Sequence, residues 1–289
     1  MTVKFGPSGI SKAFYEEGYK SSVDYPMWLN RMGLELYEYS FGRGITLSEK
    51  TAEKIGDNAK KYQVQMSVHA PYFINFASDE DEKIKKSIEY LRKSSYFANI
   101  MGADRVVFHP GSCAKMDRKK AFENCKKGIS RAIDELIKDG LYPKIKICPE
   151  TMGKQNQLGT LDEIIEICGI DENLIPTIDF GHIHALGRGA LNSIEDFKVI
   201  IDKLEDSLGK EKIKDLHCHF SRIEYTSAGE KKHWTIDDLD YGPEFSDLAK
   251  VLVEKNLSFR IICESREHMA EDALKLKNIY IEMLKKYNG

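Results

Sequence analysis

Six short, mostly apolar runs in this chain each end on a residue able to ligate a metal, and they recur from residue 66 to residue 264. Met66-Ser67-Val68 precedes His69, Val106-Val107-Phe108 precedes His109, and Ile145 to Pro149 precedes Glu150. Ile175 to Ile178 precedes Asp179, with His182 three residues on; Ile213 to Leu216 leads into His217 and His219; Ile261-Ile262-Cys263 precedes Glu264. Continuous rather than alternating apolar runs suit strands buried on both faces, as in a parallel sheet. An ionisable group that closes a buried strand is costly unless it meets an opposite charge. A repeat of that arrangement therefore points to strand C-terminal ends converging on one metal centre.

The chain offers eight strand candidates: 3–7, 34–40, 65–69, 105–109, 144–150, 175–179, 213–220 and 259–264. Helical stretches separate them. Ile84, Ile88 and Leu91 share one face of a helix through 82–101, and Phe122, Cys125, Ile129, Ile133 and Leu136 share one face of a helix through 121–137. Thr160-Leu161-Asp162-Glu163 reads as a capping box, and a last helix is expected over 271–285. Strands alternating with helices predict a parallel sheet. Eight of them in 289 residues, with no Pro/Gly-rich linker, predict one (β/α)₈ TIM barrel domain over 1–289. Gly6-Pro7-Ser8-Gly9 is too short and badly spaced for a dinucleotide-binding loop, which argues against an open doubly wound sheet.

The net charge of −3 gives no whole-chain sign of a polyanionic partner, though a bound cluster would add positive charge that the count omits. The sequence has no apolar run of membrane-spanning length and no leader pattern, so no membrane association is expected. The six cysteines show no CxxC spacing, and Cys148, Cys218 and Cys263 lie inside predicted strands, which suits buried free thiols in a reducing cytoplasm.

Histidines with Asp and Glu, and no cysteine among them, favour zinc, manganese or iron over a thiolate structural site. The candidates outnumber what one tetrahedral ion needs, so a carboxylate bridging two ions is expected. Glu150, on a middle strand of the set, is the choice for that bridge and for the catalytic role. Asp179 and His182 stand across a strand end and turn and are placed to face different ions, and Glu264 closes the ring from the last strand.

Together, His69-Ala70-Pro71-Tyr72-Phe73-Ile74-Asn75, Phe108-His109-Pro110-Gly111-Ser112, Glu150-Thr151-Met152-Gly153-Lys154 with Gly159, Asp179-Phe180-Gly181-His182 and Cys263-Glu264 resemble endonuclease IV, a (β/α)₈ apurinic/apyrimidinic endonuclease. The resemblance implies a zinc-dependent enzyme, with two or three ions, that cuts double-stranded DNA 5′ to an abasic site; manganese is the alternative metal. It implies that His69, His109 and Glu150 hold one ion, that Glu150, Asp179, His219 and Glu264 hold a second, and that His182 and His233 hold a third. It also implies that Tyr72 and Phe73 form a wedge entering the minor groove at the lesion, with Arg43 after strand two as a partner in the gap. Lys115, Lys154, Arg188, Arg222, Lys231 and Lys232 follow strands four to seven and are candidates for phosphate contact. We expect a monomer.

The chain departs from that family's pattern at three places. Lys231 stands where the family has an Asp two residues before the His matching His233, which makes Glu230 the alternative ligand. Strand seven ends in His219-Phe220-Ser221-Arg222 rather than His-Leu-Asn-Asp, with His217 as a competing ligand. Strand one ends in Gly6-Pro7-Ser8 rather than Gly-x-His. The competing expectation is a sugar isomerase or epimerase on the same barrel, whose single divalent ion would use Glu150, Asp179, His219 and Glu264. His69, His109, His182 and His233 separate the two, because an epimerase needs few of them.

Overall fold

Eight parallel strands carry the apolar runs: β1 Lys4–Pro7, β2 Leu36–Ser40, β3 Gln65–His69, β4 Arg105–Phe108, β5 Lys146–Pro149, β6 Thr177–Asp179, β7 His217–Phe220 and β8 Arg260–Cys263. This is a computed structural model, and it describes residues 3–288. The strands form two four-stranded parallel sheets, ordered β2-β3-β4-β5 and β6-β7-β8-β1. Single parallel bridges, Ser8 to Glu38 and Glu150 to Thr177, close them into a barrel. The β1–β2 seam is tight enough to require glycine, because a Cβ at Gly6 would lie 1.9 Å from the Leu36 carbonyl oxygen.

Helices Glu49–Lys61, Asp81–Met101, Arg118–Lys138, Leu161–Cys168, Ile194–Leu208, Phe245–Glu254 and Met269–Asn288 cover the barrel. The capping box forms as expected: Glu163 N–H donates to the Thr160 hydroxyl at 3.2 Å and Thr160 N–H donates to the Glu163 carboxylate at 3.0 Å. No helix among the described residues is long and apolar enough to cross a membrane.

One strand expectation needs correction. Ile213 does not open strand seven; it ends a helical turn, Lys210–Ile213. Both neighbours of β7 begin their pairing opposite His217, at Thr177 and at Arg260, so no ladder partner exists below it. Apolar Ile213 and Leu216 are buried without being strand.

The floor of the barrel is charged. Arg105, wholly buried at the start of β4, donates to Asp215 at 2.8 Å. Arg260, at the start of β8, donates to both Asp104 oxygens at 2.8 Å and to Asp215 at 3.0 Å. Such paired-fork geometry gives direction as well as energy. Burial pushes the Asp104 carboxyl up, but Arg105 and Arg260 outweigh it and hold it well below the usual carboxylate range. A depressed carboxyl contributes stability above its unfolded value and loses it as pH falls towards the folded value. Asp104→Asn should therefore lower unfolding free energy at pH 7 by about 2 kcal/mol, discounted from the ~3–5 of a fully buried pair because Asp104 is partly exposed. The deficit should shrink below about pH 4, near the unfolded carboxyl value. Urea denaturation of both proteins at pH 7 and pH 3 measures it; a deficit equal at both pH values would refute the assignment.

Candidate metal centre

The C-terminal ends of β3 to β8 and the segments just beyond them bring together three groups of donors. His69, His109 and Glu150 form one; Glu150, Asp179, His219 and Glu264 form a second; His182, Glu230 and His233 form a third; within each, and within a fourth set of Glu38, His217 and His219 one layer deeper, the ligand atoms lie within 4.8 Å of one another. Glu150 belongs to two of them and is fully buried. Its Oε2 is 3.1 Å from His69 Nε2 and 3.1 Å from His109 Nε2; its Oε1 is 3.1 Å from His219 Nδ1 and 3.3 Å from His182 Nδ1. Asp179 has two tasks. Its Oδ1 accepts the His182 N–H at 2.7 Å, capping helix Phe180–Leu186, while its buried Oδ2 has no hydrogen-bond partner.

The electrostatics follow from burying acids and bases together. Burial pushes Glu150 up, yet the charges of His219 and His109 hold it well below its ordinary value. Burial pushes Glu264 up as well, and His219 brings it down to about 2. Asp179 is raised, because burial and the charges of Glu264 and Glu150 outweigh His182. For the imidazoles the balance runs the other way. Burial lowers His69, but its hydrogen bond to Glu150 and the surrounding carboxylates lift it to about 9. His182 and His219 are likewise raised by the carboxylates beside them.

Outer partners fix which ring nitrogen faces inward, the usual arrangement for metal-binding histidines. His69 Nδ1–H donates to the Ala70 carbonyl at 2.8 Å, His182 Nδ1–H to the Thr151 carbonyl at 2.9 Å, and His233 Nδ1 pairs with the Ser221 hydroxyl at 2.8 Å. Each leaves Nε2 towards its group. His219 is turned the other way: Nδ1 faces Glu150 and Glu264, while Nε2 lies 3.0 Å from Glu38. His217, two residues earlier on the same face of β7, sits one layer deeper, with Nε2 2.8 Å from Glu38. Of the two strand-seven histidines, His219 thus reaches the Glu150 group and His217 does not. Glu38 was not among the residues singled out from the sequence. The available signal was a carboxylate inside the Leu36-Tyr37-Glu38-Tyr39 strand, where a charge is costly unless paired.

The third group depends on a β-bulge. Arg222–Thr226 pairs with Gly229–Trp234, with His233 opposite Ile223, Lys232 opposite Glu224 and Glu230 opposite Tyr225. Lys231 is the extra residue. A regular strand would put 231 and 233 on one face; the bulge shifts the parity, so Glu230 joins His233 instead. Glu230 Oε2 lies 3.4 Å from His182 Nε2 and its Oε1 lies 3.6 Å from His233 Nε2. Lys231 turns away to Glu224. Gly229 seats this hairpin: a Cβ there would lie 2.1 Å from the Gly153 carbonyl, which accepts the Glu230 N–H at 2.8 Å. Burial pushes Glu230 up, but His233 and His182 bring it to about 2.

At the rim Tyr72 and Phe73 are 54% and 55% exposed, and the Tyr72 ring stacks on His109 with centroids 5.3 Å apart. Tyr72 N–H donates to the Gly42 carbonyl, beside exposed Arg43. The expected basic residues divide. Arg222 is buried and spends its guanidinium on Glu244 and on the Ile236 and Tyr241 carbonyls, tying down the loop between them; it is not available to a phosphate. Lys231 is paired with Glu224, Lys232 lies 3.2 Å over the Trp234 ring, and Arg188 donates to the Ser227 carbonyl. Lys115 and Lys154 remain exposed.

The donor chemistry fits divalent ions. It is all imidazole and carboxylate, it holds one buried carboxylate oxygen with no donor, and its histidines are oriented from behind.

Residues 27–285 match the family described as xylose isomerase-like TIM barrel. An uncharacterized protein of Methanocaldococcus jannaschii is 34% identical over 96% of this chain and 97% of its own length. A probable endonuclease 4 of Acholeplasma laidlawii is 30% identical over 58% of this chain, and the match spans 56% of that relative's length. Among solved structures, endonuclease IV from Thermus thermophilus superposes with a TM-score of 0.73 at 19% identity, covering 98% of this chain and 99% of that one. A D-tagatose 3-epimerase-like protein superposes with a TM-score of 0.72 at 22% identity, covering 99% and 100%. Likeness at those identities speaks to the fold alone.

If the bulge delivers the third group's carboxylate, Glu230→Gln should lower the divalent metal bound per chain by one ion, and Lys231→Ala should leave it unchanged. Elemental analysis after equilibration with a weak chelator measures both. Loss of an ion in Lys231→Ala, with none lost in Glu230→Gln, would reverse the assignment.

Proposed function

This chain belongs to the xylose isomerase-like TIM barrel family as a divergent relative of endonuclease IV, and from that premise we propose that it is a metal-dependent endonuclease acting on abasic sites in double-stranded DNA. The observation that carries this reading is the sharing of Glu150 between two donor groups, with a third group beside them. Zinc held by these residues, with manganese as the alternative, would polarise the phosphate, acidify a water and stabilise the leaving oxygen. His69, His109 and Glu150 would hold one ion, Glu150, Asp179, His219 and Glu264 a second, and His182, Glu230 and His233 a third.

The chain's own groups do the rest. Glu150 directs one oxygen to each of two groups, so its charge serves both and its position fixes their spacing. Asp179 keeps one oxygen on the helix cap, which fixes the direction of the other. Tyr72 and Phe73 present apolar surface at the rim, suited to filling the gap left by a missing base and excluding water from it. Arg43 stands beside them in the Gly42–Gly44 turn. All six thiols are free and buried, which suits work in a reducing cytoplasm. We expect it to act as a monomer.

The test is nicking of a duplex carrying one abasic analogue against an undamaged control, with and without chelator. We expect chelator-sensitive cleavage 5′ to the lesion. Glu150→Gln should abolish it and lower metal content while the barrel stays folded by circular dichroism. Tyr72→Ala combined with Phe73→Ala should weaken binding to the abasic duplex about tenfold with metal content unchanged, from the ~1–3 kcal/mol that one base–aromatic stack supplies. No cleavage by the zinc- or manganese-loaded protein, together with epimerisation of a free ketose, would replace this reading with the sugar epimerase. That alternative needs only the Glu150, Asp179, His219 and Glu264 group.

A further inference from the structure

Beneath the three donor groups lies another buried carboxylate that none of them uses. Glu38, on β2, is fully buried. Its Oε2 accepts from His217 Nε2 at 2.8 Å and from the Ser67 hydroxyl at 3.1 Å; its Oε1 accepts from the Ser8 hydroxyl at 3.2 Å and lies 3.0 Å from His219 Nε2. The last contact is close, and His219 Nε2 has no other partner and makes no regular hydrogen bond there. Ser8 stands where the resembled family's first strand carries a histidine, so this departure in sequence is joined physically to Glu38.

The orientation of His219 is the second observation. Among the imidazoles gathered here, His69, His109, His182 and His233 direct Nε2 at a carboxylate of their group, while His219 directs Nδ1. Its tautomer decides whether it can ligate at all. A proton on Nδ1 would block the lone pair that faces Glu150 and Glu264, and would leave Nε2 bare against the Glu38 carboxylate. A proton on Nε2 gives Glu38 a donor and frees Nδ1. His217 cannot take over, because its Nε2 is already committed to Glu38 one layer down.

We propose that Glu38 is a positioning residue: it holds His219 in the Nε2–H tautomer and so commits Nδ1 to the divalent-ion group of Glu150, Asp179 and Glu264. This is the carboxylate–histidine–metal arrangement, in which the outer carboxylate orients the ring and raises its basicity as a ligand. It also accounts for the choice of His219 over His217 on β7, since Glu38 takes one nitrogen from each ring and only His219 has its other nitrogen at the centre. The inference rests on the metal-centre reading above, but not on DNA as the substrate.

The experiment has two parts, and neither uses activity. In zinc-loaded parent protein with ¹⁵N-labelled histidine, long-range NMR correlations report which nitrogen of His219 carries the proton. We expect it on Nε2; a proton on Nδ1 overturns the proposal, whatever any variant does. Then zinc affinities of the parent and of Glu38→Gln are compared by chelator competition. We expect one ion of the parent's complement to bind about 10–100-fold more weakly in the variant, the range found when an outer-shell partner is removed, with the other ions unchanged. Equal affinities for every ion overturn the proposal. Glu38→Asp, which keeps the carboxylate, should recover part of the loss. A parent that binds no zinc overturns the metal-centre reading and this inference together. A parent that binds zinc but does not nick abasic DNA overturns only the nuclease reading, and the two measurements on Glu38 stand.

Discussion

Glu150 is a carboxylate with no exposed surface, and the upper half of the barrel is arranged around offsetting its charge. A lone buried anion is costly by several kcal/mol even after the protein relaxes. Histidines from β3 and β7, one just beyond β4, and one from the helix after β6 approach it within 3.3 Å. Glu150 is also where the two half-sheets meet, through its bridge to Thr177. The opposite seam is the Ser8–Glu38 bridge, so each closure of the barrel carries a buried acid. His219 lies between them, 3.1 Å from one and 3.0 Å from the other. Glu150 and Glu38 thus serve both the closure of the barrel, through their backbones, and the candidate centre, through their side chains.

The two ends of the barrel balance charge in different ways. At the floor Arg105 and Arg260 meet Asp104 and Asp215 through short, forked hydrogen bonds. At the top the carboxylates meet mainly imidazoles, and Asp179 keeps a buried oxygen with no donor. Permanent cations are spent where the barrel needs stability, and ligands that lose protons stand where ions would bind. An arginine in the upper ring would settle the charge but close the centre to a metal.

The strand ends were legible in the sequence because an apolar run that stops at an ionisable residue obeys the rule placing function at the C-terminal face of such barrels. β3 begins and ends where its pattern predicts, and β4, β5 and β8 differ by only one or two residues. Glu38 escaped that rule because it lies two residues inside β2 rather than at its end, facing inward one layer below the centre. The role of Glu230 could be named only as an alternative to position 231, because spacing along a strand does not reveal a bulge; that depends on the register with Arg222–Thr226. Ile213 misled because apolar pattern reports burial, and the strand there is limited by where its neighbours begin. The position of Arg222 after strand seven suggests a phosphate contact, whereas Glu244 and two carbonyls from the following loop already occupy it.

The fold does not choose between a nuclease and an epimerase, since both kinds of neighbour superpose almost equally well. Charge is a better guide. The three donor groups above Glu38 contain four carboxylates, Glu150, Asp179, Glu264 and Glu230, set among histidines that bind metal only when neutral. One divalent ion at Glu150, Asp179, His219 and Glu264 would leave an excess of negative charge and would give His69, His109, His182 and His233 nothing to ligate. Lys154 is the nearest lysine to this excess, 4.0 Å from Glu230 and exposed, too weakly coupled to replace an ion. Two dications would balance the four carboxylates, and a third would give the His182, Glu230 and His233 group an ion and leave a net positive charge suited to an anionic phosphate. That balance, rather than the barrel itself, is the physical reason to favour a cluster that grips a phosphate over a single ion that steadies a sugar.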